Sequence, residues 1–148
     1  MGLRTLTRDE RGFTLIELLV VMMIIGILAA IALMSLGKEQ VKAQDAEAKS
    51  NARNIISVVE ACQATQGGYD DCESDDNPGI RDAGIALGGG HGEVLVSAPN
   101  KRSFLITSHS RSGNTFRYAR ANDGPATRTC TVVTDQLGGC SAKPVGTW

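Results

Sequence analysis

Residues 11–36 read RGFTLIELLVVMMIIGILAAIALMSL, an apolar run carrying one carboxylate, Glu17, close to its start. From Leu18 to Met34, seventeen consecutive positions hold no charged or strongly polar side chain. Phe13 to Leu36 makes 24 positions, about 36 Å of helix at about 1.5 Å per residue. That length crosses a hydrocarbon core about 30 Å thick. A carboxylate in hydrocarbon costs several kcal/mol unless it is paired, so the place of Glu17 needs a physical reason.

Upstream, Met1 to Gly12 is a short polar leader with Arg4, Arg8 and Arg11 against Asp9 and Glu10. Positive charge ahead of an apolar run holds that end in the cytoplasm and sends the remainder outward. Downstream lie four cysteines, Cys62, Cys72, Cys130 and Cys140. An even count in a small exported domain reads as two disulfides. Of the three pairings, Cys62–Cys72 and Cys130–Cys140 are favoured because each closes a short local loop, contributing about 2–3 kcal/mol. A zinc site is the rival, but no CxxC pair occurs and His91 and His109 lack ligand spacing, so no metal and no cofactor is expected. The 148 residues suffice for one soluble core. A net charge of −1 with 21% charged residues provides no basic stripe of the kind nucleic-acid binders carry.

Helical periodicity continues past the apolar block. Val41, Ala48, Ala52, Ile55, Val59 and Cys62 recur at three- and four-residue steps, with one seven-residue step from Val41 to Ala48. Lys42, Asp45, Glu47, Lys49 and Arg53 fill the polar faces. No proline interrupts Phe13 to Gln66, and Gly67-Gly68 is a stop signal. The spacing predicts one helix of about fifty residues, greasy in its first half and amphipathic in its second. Residues 67–92, acidic and glycine-rich, read as a loop. Four β-like runs follow at 93–98, 103–109, 115–121 and 127–135, separated by turn-rich PNKR, SRSGN and NDGPA. Such short gaps favour antiparallel neighbours. The tail from Gln136 to Trp148 reads as irregular, tied back through Cys140. The expected fold class is therefore α+β: a long N-terminal helix whose amphipathic half packs on a four-stranded antiparallel sheet, burying Ile55, Ile56 and Val59.

Arg11-Gly12-Phe13-Thr14-Leu15-Ile16-Glu17, with a basic leader before it and a long apolar helix after it, resembles the class III signal of type IV pilins and pseudopilins. The likeness in detail covers about residues 8–40, and the remainder is similar in architecture, including a disulfide-bounded C-terminal region, 130–148. The resemblance implies a leader, 1–12, removed by a prepilin peptidase after Gly12 on the cytoplasmic side. It also implies a new, N-methylated terminus at Phe13, a transmembrane and assembly helix over 13–36, and a soluble headgroup over 37–148 with the helix continuing to 66. Glu17 corresponds to the family's assembly glutamate, and Gly26 to a glycine midway along the apolar segment. Many members carry a proline eight residues after that glycine, where this chain has Met34.

The function implied by the resemblance is that of a structural subunit with no enzymatic role. Its partners are further copies of itself, the peptidase, an inner-membrane assembly platform and, before assembly, membrane lipid. DNA and surface ligands are further partners within the family's range, as adhesion and motility are among its uses. The precursor is placed in the inner membrane with its C-terminal domain outside, and the product in an extracellular filament. Two other readings stand beside a main pilin: a pseudopilin of a secretion or competence system, and a membrane-anchored extracytoplasmic binding domain that never polymerises.

A trimmed chain gives the acid a partner. Cleavage after Gly12 creates an amine at Phe13, one helical turn from Glu17, which can pair with Glu17 of the same chain or of a neighbour. Pairing between chains fixes axial register, because an unpaired carboxylate inside a helix bundle is heavily penalised. Against this stand a Glu17 that snorkels to the interface, an ordinary signal peptide cut near Ala30-Ile31-Ala32, and a plain anchor. The first explains neither Gly12-Phe13 nor the lack of further charges, and an ordinary signal's apolar region is shorter.

Other motifs carry little. Gly88-Gly89-Gly90-His91-Gly92 lacks the lysine of a phosphate loop and reads as a flexible connection. Ser108-His109-Ser110 sets neighbours on opposite strand faces, so no nucleophile and base meet and no catalytic residue is expected. Asp70, Asp71, Glu73, Asp75 and Asp76 do not follow EF-hand spacing and read as a solvated loop. Arg111, Arg117, Arg120 and Arg128 fall on or beside strands, either as a positive strip or as scattered surface charges.

Overall fold

The computed structural model describes residues 12–73 and 77–148; the leader arginines and the acids Asp75 and Asp76 lie outside the described residues. The chain divides into two units, 1–37 and 38–148. A helix α1 runs Leu15–Gln66, followed by a single turn α2, Pro78–Arg81. Five strands then make one sheet in sequential order: β1 Val94–Asn100, β2 Ser103–His109, β3 Thr115–Arg120, β4 Thr127–Thr131 and β5 Val145–Gly146. All four pairings are antiparallel.

In the first unit the apolar stretch Leu15–Leu33 has a mean hydropathy of 2.9 and is not buried against the protein. Its Leu, Ile, Val and Met side chains stand exposed along the helix. Nineteen residues make about 28 Å of helix, the thickness of a hydrocarbon core.

In the second unit α1 buries Ala48, Ala52, Ile55, Val59 and Cys62 on one stripe, the three-four spacing of an amphipathic helix. Ile56 packs against this core from its margin. α1 stops at Gly67, whose φ of +77° suits a residue without Cβ and whose N–H still reaches Gln63 O at 2.8 Å. The sheet alternates, turning Val94, Val96 and Ala98 of β1, Phe104 and Ile106 of β2, and Phe116 and Tyr118 of β3 inward. These residues close over the helix stripe, with Phe104 between Tyr69 at 4.6 Å and Tyr118 at 5.7 Å. Each fully buried side chain of this size contributes about 1.5–3 kcal/mol.

The sheet has five strands where four were expected. β4 ends at Thr131 because the chain then leaves the ladder: Val132 N–H turns to Pro144 O, and Val133 N–H turns to the Asn114 side chain. The expected irregular tail instead returns Val145 and Gly146 to pair with Thr131 and Cys130. Residues 67–92 are more regular than a plain loop. Asn77 caps α2 by accepting from Gly79 N–H at 2.8 Å, and Leu87 bridges in parallel to Val94. The glycine cluster is an ordered turn around Glu93, whose carboxylate accepts from Gly90 N–H at 2.7 Å. A Cβ at Gly90 would meet that carboxylate at 2.9 Å.

Candidate functional site

In the first unit Gly12, Phe13 and Thr14 precede the helix and are exposed. Thr14 and Glu17 bond reciprocally. The carboxylate oxygen Glu17 Oε2 accepts from Thr14 N–H at 2.9 Å and from the Thr14 hydroxyl at 2.8 Å, while Glu17 N–H donates to Thr14 Oγ1 at 3.3 Å. This is a capping box: the first helical turn has donors without intrahelical partners, and a Thr at the cap with a Glu three residues on satisfies two of them. The acid thus has a local task in the single chain, one that sequence reasoning missed although Thr14-Leu15-Ile16-Glu17 spells the signal. Beyond these bonds the carboxylate stands on an exposed apolar helix surface, beside Phe13, Ile16, Val20 and Val21.

In the second unit the structure joins Cys62 to Cys72 and Cys130 to Cys140, each with Cα atoms 6.0 Å apart. The first closes the end of α1 on the turn after it, and Glu73 beyond it accepts from Ala98 N–H of β1 at 3.0 Å. The second packs with Ala48, Phe116 and Val132.

Asp45, expected on the polar face, is fully buried. It fills the gap in the stripe between Val41 and Ala48. Its Oδ1 accepts from the Ser112 hydroxyl at 2.5 Å and its Oδ2 from Asn114 Nδ2 at 2.8 Å. Asn114, also fully buried, extends the network into the C-terminal loop. Its Oδ1 accepts from Val133 N–H at 3.0 Å and Thr134 N–H at 3.4 Å, and its Nδ2 donates to Gln136 O at 3.3 Å. Lys49 adds a bond from Nζ to Gly138 O at 2.7 Å. An open cleft of about 520 Å³ lies beside it, lined by Lys42, Lys49, Gln136, Leu137 and Gly138 among others.

The four arginines do not make one strip. Arg111 pairs with Glu47 at 3.4 Å and Arg120 with Glu60 at 3.1 Å. Arg128 lies 5.6 Å from both the Tyr118 and Trp148 rings, and Arg53 lies 5.8 Å from Trp148. Trp148 packs edge-on to Phe116 at 5.9 Å and donates from Nε1 to Arg117 O at 3.1 Å. Half-buried and hydrogen-bonded, it pins the tail. Trp148→Ala is expected to cost about 2 kcal/mol, read from the urea midpoint by far-UV circular dichroism; a loss below about 0.5 kcal/mol would show the tail held elsewhere. Ser108 is not poised beside His109: buried, it donates to Ala48 O at 2.8 Å. Among the described residues no three His, Cys, Asp or Glu side chains cluster as metal ligands.

Residues 7–33 match the family model described as the prokaryotic N-terminal methylation motif. The chain is 43% identical over 62 residues to the type IV major pilin protein PilA of Myxococcus xanthus, a match covering 42% of this chain and 28% of that protein. It is 31% identical over 136 residues to the type IV wide pilus major component PilA4 of Thermus thermophilus, covering 86% of this chain and 93% of that protein. No solved structure matches it. With the apolar helix, the capped acid and the antiparallel sheet in place, an alignment of that extent shows that the chain belongs to the type IV pilin family.

Proposed function

We propose that the chain is the main structural subunit of a type IV pilus, made as a precursor, trimmed after Gly12 by a prepilin peptidase, methylated on Phe13 and polymerised through α1. The observation that carries this reading is the exposed apolar face of Leu15–Leu33 with Glu17 set at its start. Such a surface requires either lipid or other copies of itself. As a precursor the helix spans the inner membrane with residues 38–148 outside, and an assembly platform transfers it into the filament. There the Phe13 amine of one copy meets Glu17 of the next. The bond to be cut is accessible, since Gly12 and Phe13 lie outside any helix and are exposed. A main pilin is favoured over a pseudopilin because the matched relatives are named major pilus components.

Mass spectrometry of the sheared surface fraction tests this. The expected N-terminal peptide begins at Phe13 with one added methyl group. A chain that keeps its leader, starts after Ala32, or is missing from that fraction contradicts the proposal.

A further inference from the structure

The C-terminal loop is tied down by its disulfide, by Asn114 and, at Gly138 O, by Lys49 Nζ of α1. The Cys130–Cys140 bond closes the loop on itself and packs by apolar contact near Ala48. Directional bonds come from elsewhere: Asn114 holds Val133, Thr134 and Gln136, and is itself held by the Asp45 carboxylate on α1. Asp45 lies 69 residues from Asn114 in the chain, so this contact links α1 to both the β2–β3 turn and the loop. The Gly138 backbone runs so close to the carboxylate that an added Cβ would lie 2.7 Å from Asp45 Cγ. A buried acid satisfied this way has few alternative placements, since any other arrangement strips it of donors.

We propose that Asp45 is a positioning residue. Through Asn114 its carboxylate fixes residues 133–136 on α1 whether the Cys130–Cys140 bond is open or closed, so that, with Lys49 Nζ on Gly138 O, the cleft beside Lys42 and Lys49 is preformed in the single subunit. Only the idea that this precedes assembly rests on the filament reading; the anchoring does not.

The test measures amide hydrogen exchange in the full chain, monomeric in detergent. Asp45→Asn keeps the size but removes the charge and leaves one acceptor oxygen where the carboxylate offered two, to the Ser112 hydroxyl and to Asn114 Nδ2. Exchange at Val133 and Thr134 should accelerate about tenfold or more with the disulfide closed, while the core amides of Ile106 and Tyr118 hold their rates. The swapped pair Asp45→Asn with Asn114→Asp restores a donor facing an acceptor at α1 and keeps the acceptor for the Val133 and Thr134 amides, at the loss of the bond to Gln136 O; protection at those two amides should recover, which general destabilisation would not produce. Opening Cys130–Cys140 in the unsubstituted chain should leave Val133 and Thr134 within about threefold of their original rates. The proposal is overturned by any of three results: unchanged exchange in Asp45→Asn, equal acceleration at Ile106, or release of the loop by reduction alone. An unsubstituted chain that never forms filaments would remove the proposed function and leave these readings intact.

Discussion

Glu17→Gln is expected to lower the yield of sheared filaments about tenfold or more, while the chain still enters the membrane and residues 38–148 still fold. Tenfold corresponds to about 1.4 kcal/mol, and breaking one partner of a buried charge pair costs about 2–5 kcal/mol. Glutamine is the informative replacement because Glu17 does two things. It closes the capping box with Thr14, and it supplies a negative charge on a face otherwise made of Leu, Ile, Val and Met. Glutamine at that position still accepts from the Thr14 N–H, so the helix start survives and only the charge is lost.

Thr14→Ala makes the reverse change, removing the hydroxyl of the cap and keeping the acid. A cap is worth about 1 kcal/mol to the first turn, a small effect on a helix stabilised along its whole length. Filament yield near normal in Thr14→Ala and collapsed in Glu17→Gln therefore assigns the charge to assembly. The opposite ranking would make Glu17 a capping residue and end the idea that it sets axial register against the Phe13 amine.

The parts of this fold written in local pattern were legible. The stripe from Ala48 to Cys62 is a 3.6-residue repeat, and the strand inner faces alternate with period two, so each declares its buried side without knowledge of its partner. β5 was not legible, because two residues have no period; Val145 and Gly146 become a strand only when Thr131 and Cys130 offer an edge. Asp45 was misplaced for a related reason. An acid on an amphipathic helix goes by default to water, and the Ser112 and Asn114 that overrule the default lie 67 and 69 residues away. Its position in the stripe, between Val41 and Ala48, was nevertheless the signal. The capping box was legible and overlooked, since four adjacent residues contain all of it. The family motif made Glu17 prominent as an assembly residue and hid its simpler local role.

Gly138→Ala is expected to destabilise the chain by about 3 kcal/mol or more, through two separable effects. Gly138 has a φ of +58°, a conformation costing an L-residue about 1–2 kcal/mol. Its new methyl would also fall 2.7 Å from Asp45 Cγ and 3.0 Å from Asp45 Cβ. Asp45 has no room to yield, being held by Ser112 and Asn114 inside the core. Either the loop lifts away, or the carboxylate turns and loses its donors, at about 1–3 kcal/mol and more for a charged group. Gly139→Ala is the matched control. Its φ of +84° carries comparable backbone strain, but its methyl would meet the Nζ end of Lys49 at 2.5 Å, a long side chain able to swing aside at the loss of its bond to Gly138 O. Urea unfolding of the full chain in detergent, followed by the fluorescence of the single tryptophan, Trp148, reads both variants. The gap between them measures what the buried carboxylate contributes beyond backbone strain and the Lys49 bond. Equal losses in the two would mean that Asp45 yields as easily as a lysine tip, and that the loop rests on its glycines and its disulfide.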